Sequence, residues 1–230
     1  MTIFLKSGEK GFIAGQTGSG KTQGAIFLLR HSAGFPKIIL DSKIEDEFFK
    51  LPEGDEKLEV VESFAALERL AKLSAKHWPD YILVRPEPSD LSDSAAMDRY
   101  PALIYERFGR CLCYVDEVFS FQEGGRIGAG FLGLITRGRS RGKTLLMGAQ
   151  RPAWISRFCL TESKKFYIYR LIDRRDHKTF SEIVPGFAKM GNPPEFHFWF
   201  YDTATDAPQL SAPVPFEPLQ RSTIKTGKWL

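Results

Sequence analysis

Gly15-Gln16-Thr17-Gly18-Ser19-Gly20-Lys21-Thr22 is a complete G-x-x-x-x-G-K-[ST] stretch set between an apolar run and a run of helix formers. Glycines at this spacing let successive backbone N–H groups turn inward around phosphates. A lysine there reaches the β and γ oxygens, and the Thr22 hydroxyl is placed to ligate Mg²⁺. Upstream, Gly11–Ala14 reads as the buried strand that feeds the loop. Downstream, Ala25–Leu29 has helix-forming character, with Gly34 and Pro36 supplying a stop. The eight residues 15–22 are therefore expected to bind ATP.

Further strands are expected where apolar residues run together: Lys37–Asp41, Leu58–Val61, Tyr81–Val84, Cys111–Val115 and Thr144–Ala149. Helices are expected between them: one capped by Ser63, one over Ser94–Phe108 with Pro101 at a break or kink, one through Phe131–Ile135. Arg85–Asp90 reads as a loop. Strands that alternate with helices and are apolar throughout predict a mainly parallel sheet covered by helices on both faces, an α/β fold. With 230 residues and 43% hydrophobic content there is material for one sizeable domain. Cys111 and Cys113 alternate along an apparent buried strand, so these two and Cys159 read as core residues in a reducing compartment, not as a disulfide or zinc ligands.

Two further signals refine the chemistry. The strand Cys111–Val115 ends in Asp116-Glu117, the Walker B arrangement, in which the first acid holds the Mg²⁺ shell and the second can deprotonate an attacking water. The strand Thr144–Ala149 ends in Gln150, which should reach the same sheet edge as Gly15 and Asp116, where open α/β sheets bind ligands. Its amide could sense the γ-phosphate and the water.

The loop, the acidic pair and the Thr144–Pro152 strand with its Gln150-Arg151-Pro152 ending resemble the FtsK/HerA superfamily of DNA-pumping ATPases, over roughly residues 10–175. Within it, a short chain is most similar to the genome-packaging ATPases of tailless, internal-membrane icosahedral viruses. The resemblance implies a P-loop NTPase fold of the RecA-like, ASCE type and a ring, of six subunits, that threads double-stranded DNA while hydrolysing ATP with Mg²⁺. It implies Thr22 and Asp116 at the metal, Glu117 as base, Gln150 as sensor, and a trans-acting arginine for which this chain offers Arg141, then Arg139, then Arg137. It also implies a place in the host cytoplasm or at a packaging vertex of the virion. No apolar stretch approaches the roughly 18 residues of a membrane span, and Met1–Lys6 lacks a signal-peptide pattern.

Charge is unevenly distributed. Eleven lysines and arginines between Arg137 and Arg175 face only Glu162 and Asp173, in a chain whose net charge is +4. A basic segment in an otherwise acidic chain suggests a polyanion partner. The last third is different in character: aromatic strands at Phe166–Tyr169 and Phe196–Tyr201, a helical stretch near Phe180–Ile183, then prolines at 208, 213, 215 and 218 and a basic end. Residues 1–202 read as the ATPase domain and 203–230 as a Pro-rich tail, a candidate dock for a capsid or membrane protein. Two other functions compete. Closely spaced Arg174 and Arg175 suit the lid of a P-loop kinase, against which Glu117 and Gln150 count. A nucleotide-dependent phage assembly factor would share the loop. The sole asparagine, Asn192, precedes Pro193, so the Asn-Lys-x-Asp signature of guanine recognition is missing.

Overall fold

The computed structural model describes residues 2–215. In chain order the elements are β1 (Lys10–Ala14), α1 (Lys21–His31), β2 (Lys37–Leu40), β3 (Leu58–Val61), α2 (Phe64–Ala71), β4 (Tyr81–Val84), α3 (Pro88–Leu91), α4 (Ser94–Arg107) and β5 (Leu112–Val115). There follow β6 (Gln122–Glu123) and β7 (Arg126–Ile127), then α5 (Ala129–Arg137), β8 (Thr144–Ala149), α6 (Arg157–Thr161), β9 (Lys165–Ile168), α7 (Arg174–Ser181), β10 (Phe198–Asp202) and β11 (Gln209–Ser211).

Nine strands form one sheet in the order β11-β10-β9-β1-β8-β5-β2-β4-β3. The seven from β9 to β3 run parallel. The last two, β10 and β11, return antiparallel. The parallel strands are apolar on both sides because both faces are covered. Alternate residues of β1 illustrate this: Phe12 and Ala14 join one core with α2, α4, α5, α6 and α7, whereas Ile13 joins the other with α1 and the turn at Phe48–Leu51. The two faces are thus unequally dressed, with α1 alone among the longer helices on its side.

Local chemistry fixes the boundaries. Ser63 accepts the Ala66 N–H at 3.2 Å and caps α2, and Asp93 caps α4 through Ala95 and Ala96. Two expectations are corrected. Pro101 does not break α4, which runs through it with the proline buried in its interior. The 85–90 loop ends in a short helix because Pro88 stands at its first position, where a missing N–H costs nothing. Cys111, Cys113 and Cys159 are free thiols in the core, and burial pushes Cys159 up to about 12.

The sheet continues beyond residue 202, since Gln209–Ser211 pairs with Phe198–Phe200 of β10. The boundary suggested by composition therefore falls inside a hairpin. Pro218 and the basic end, Lys225–Lys228, lie outside the described residues.

Candidate nucleotide site

β1, β8 and β5 are neighbours at the middle of the sheet, and β2 follows β5. All four are parallel, so their C-terminal ends open at one edge and deliver the phosphate loop, Gln150, Asp116-Glu117 and Asp41-Ser42-Lys43 to one place. That is the edge at which such sheets bind ligands.

The loop is tied to the sheet at its start, where the Gly15 and Gln16 N–H groups donate to the carbonyls of Ala149 and Arg170 at 3.3 and 3.0 Å. It then turns through Gly18 (φ 76°) and Gly20 (φ 93°), a left-handed region that other residues enter at a cost. Gly20 is the N-cap of α1 and offers no side chain to its orphan N–H groups, which leaves the positive end of the helix open to an anion. Gln16, Thr17, Gly18, Gly20, Lys21 and Thr22 line a cavity of about 490 Å³ together with Gln150. Ser19 is buried behind the loop.

Asp116 is fully buried. Its Oδ1 accepts the Tyr114 hydroxyl at 2.8 Å and lies 3.7 Å from Lys21 Nζ. Burial, then the nearby Asp116 carboxylate, pushes the Tyr114 hydroxyl well above its ordinary value and keeps it a donor. Asp116 Oδ2, Ser19 Oγ and Gln16 Oε1 are buried without a hydrogen-bond partner among the described residues. Buried polar atoms are seldom left so. Three of them around one loop fit a site that receives a polar ligand and a hydrated cation.

Glu117 is nearly buried and pairs with Lys43, whose Nζ is 2.8 Å from Glu117 Oε2 and 3.9 Å from Asp116 Oδ2. Lys43 was not among the residues expected from sequence. Its signal was nonetheless present: a charged residue directly after a buried strand, beside the strand that carries the acids. Also unforeseen are Glu45, Glu47, Phe196, Pro213 and Val214 at the rim of the cavity.

Arg139 and Arg141 are not at this edge. They lie in the turn Gly138–Arg141 before β8, with the full six-residue length of that strand between the turn and Gln150. At a strand rise of about 3.3 Å per residue this is about 20 Å away. Arg141 sits over the Tyr105 ring at 4.4 Å. Neither arginine can serve the site of its own chain.

The basic segment is less available than its composition suggests. Lys143 is buried and donates to the carbonyls of Phe108 and Gly109. Lys164 and Lys165 face Glu9, and Arg157 pairs with Glu182 at 2.7 Å. Arg151 joins Asp173 and Asp176. Arg175 also bonds Asp173, which caps α7, so the segment suited to a kinase lid serves to anchor that helix. Within the segment, Arg137, Arg139, Arg141, Lys143, Arg170 and Arg174 have no ion pair among the described residues; of these, Arg137 and Arg141 lie over the Tyr105 ring and Lys143 bonds backbone carbonyls, which leaves Arg139, Arg170 and Arg174.

A phosphate loop, a strand-end acid pair and a strand-end glutamine on adjacent parallel strands define a P-loop NTPase. No family model matches the chain. It is homologous to the DNA packaging ATPase P9 of Enterobacteria phage PRD1, with 27% identity over 242 residues, covering 99% of this chain and 97% of that protein. Its fold is that of the genome packaging NTPase B204 of Sulfolobus turreted icosahedral virus 2, solved with ATP-gammaS (TM-score 0.67, 15% identity, 90% of this chain and 98% of that one). The DNA-packaging ATPase B204 of Sulfolobus turreted icosahedral virus aligns similarly (TM-score 0.63, 14% identity, 91% and 99%). Among the described residues, no helix is long and apolar enough to cross a membrane.

Proposed function

We propose that this chain is the ATPase that drives viral DNA packaging: it hydrolyses ATP and uses the energy to translocate double-stranded DNA into a preformed capsid. The observation that carries the reading is that Lys21 and Gln150 line one cavity while Asp116 lies 3.7 Å from Lys21 Nζ with Glu117 next to it in the chain, in a homologue of a packaging ATPase.

The triphosphate lies along the loop, its charge met by the backbone N–H groups of residues 17–21, the α1 terminus and the Lys21 ammonium. Phe196, Pro213 and Val214 form the apolar wall for the base. Thr22 and Asp116 would hold Mg²⁺, which would help neutralise the charge of the triphosphate. Glu117 takes a proton from the attacking water and Gln150 orients it. Glu117 distinguishes this site from a kinase, which must exclude water.

Arg141, with Arg139 next, acts on the site of a neighbouring subunit, which calls for a ring, of six copies on the family's precedent. Exposed Arg139, Arg170 and Arg174 are the cations most available to DNA phosphates. The part of the Pro-rich segment 203–230 that neither pairs with β10 nor lines the cavity docks a capsid or membrane protein at the packaging vertex of the virion.

The test is the steady-state ATPase rate per subunit against protein concentration, with and without long double-stranded DNA. It should rise with concentration and again with DNA. A rate indifferent to both would overturn the motor reading.

A further inference from the structure

The segment that follows β2 is built with more care than a surface loop needs. Asp41 is fully buried, and both its carboxylate oxygens accept the Glu45 N–H, at 3.1 and 2.9 Å. Arg85 Nε bonds Asp41 Oδ2 at 3.1 Å, and another Arg85 nitrogen donates to the Glu45 carbonyl. Ser42 Oγ donates to Ser120 Oγ at 3.0 Å, tying the segment to the turn that begins directly after Glu117. Between these anchors stands Ile44 with φ 60°, more than half exposed. A β-branched residue in the left-handed region is an outlier, and this one recovers nothing by burial. What the conformation achieves is the aim of its neighbour: Lys43 turns inward, three-quarters buried, with Nζ 2.8 Å from Glu117 Oε2.

We propose that Lys43 is a positioning residue of the hydrolytic step, which holds Glu117 through Oε2 so that Oε1 alone is left to receive the proton of the attacking water. No hydrogen bond and no other ion pair to the Glu117 carboxylate is found among the described residues, so the Lys43 contact is what selects its rotamer. At this distance the two opposite charges, one nearly buried and the other three-quarters buried, attract more strongly than an exposed pair would. The water oxygen bonds to the γ-phosphorus as its proton passes to Glu117 Oε1. The bond from that phosphorus to the bridging oxygen breaks, and ADP leaves with the electron pair. Lys43 keeps its own proton throughout.

This inference rests on the ATPase reading with Glu117 as base, and the test separates the two. Full-length protein carrying Lys43→Met, Lys43→Arg, Glu117→Gln, or Lys43→Met with Glu117→Gln is assayed at saturating Mg-ATP with double-stranded DNA. Binding of a fluorescent ATP analogue and thermal unfolding serve as checks of the fold. Lys43→Met should lower kcat roughly 10²-fold, the scale of a misplaced catalytic group, with KM and analogue affinity within about threefold of the parent. Lys43→Arg should recover at least a tenth of the parent rate, and the double variant should be no slower than Glu117→Gln, since groups acting as a unit are not additive. A raised KM with kcat intact would make Lys43 a phosphate ligand instead. A faster rate in Lys43→Met would make it a brake, and an additive loss in the double variant would show that it acts independently of Glu117. Each of these three overturns the proposal. Retained turnover in Glu117→Gln would remove the base assignment itself, whatever Lys43 does.

Discussion

In the proposed mechanism Glu117 and Lys21 perform separable tasks, and substitution should separate them. Glu117→Gln removes the proton acceptor but keeps shape, so turnover should drop by roughly 10²–10⁴-fold while ATP binding persists. Lys21→Ala should instead weaken nucleotide binding itself, measured by equilibrium titration. A third residue carries a stability signature. Glu9 is partly buried, which raises its pKa, but the hydrogen bond and charge of Lys164, the Lys6 amide and Lys165 outweigh this and bring it from 4.5 to about 2. A depressed carboxyl stabilises the fold above its unfolded value and ceases to do so as pH falls through its folded value. Glu9→Gln should therefore cost about 1 kcal/mol at neutral pH, a figure reduced for solvent screening. Its urea midpoint should converge on the parent's as pH falls from 4.5 towards 2. At this scale the loop, Asp116, Glu117 and Gln150 were legible because each is bound to a strand end that periodicity already located. Lys43 was harder: its role depends on β2 lying beside β5, a non-local fact that no local pattern states. The surplus of cations from 137 to 175 misled for a similar reason, since Lys143, Arg151, Arg157, Lys164 and Lys165 find partners only when distant segments meet.

Among the elements, β8 is the one on which the site turns, as it stands between the loop strand and the acid strand and has a fully buried burial pattern. Gly148 near its end permits close approach of β5. A Cβ there would lie 2.4 Å from the Asp116 carbonyl oxygen and 2.9 Å from the Tyr114 hydroxyl. Gly148→Ala should destabilise the fold by about 2 kcal/mol, as overpacking does, and lower turnover by displacing Asp116. Chemical denaturation and the ATPase rate check the two parts, and full activity in a stable variant would sink the idea. Strands were easier to find than helix ends. The parallel strands inside the sheet are mostly apolar runs, whereas α4 passes through Pro101 because its packing against α5 and α2 overrides local preference. β11 escaped notice since Gln209, Leu210 and Ser211 pair on one side only and show no strand-like burial.

For the whole molecule, the proposed division of labour between subunits can be tested by mixing. Arg141→Ala retains its base and Glu117→Gln retains its arginine, so each alone should be nearly inactive. Combined in equal amounts and allowed to exchange, they should regain activity at about a quarter of interfaces, those with an intact base on one side and an intact arginine on the other, as repeated head-to-tail contacts require. Absence of any recovery in a mixture shown to exchange would place the essential arginine in the same chain, and Arg151 would be the next to examine.

The parallel sheet gives the subunit a direction. Everything that handles phosphate is at the end where its central strands finish, and Arg139 and Arg141 are at the end where β8 begins. A pair related by a two-fold axis would set like ends against each other and complete neither site, however tightly it bound. A chain of copies all facing one way leaves one site idle at its terminus, and closure alone leaves none. If the arginine works in trans, the shared direction of the parallel strands therefore decides that catalysis is a property of the closed circle, which has no first or last subunit.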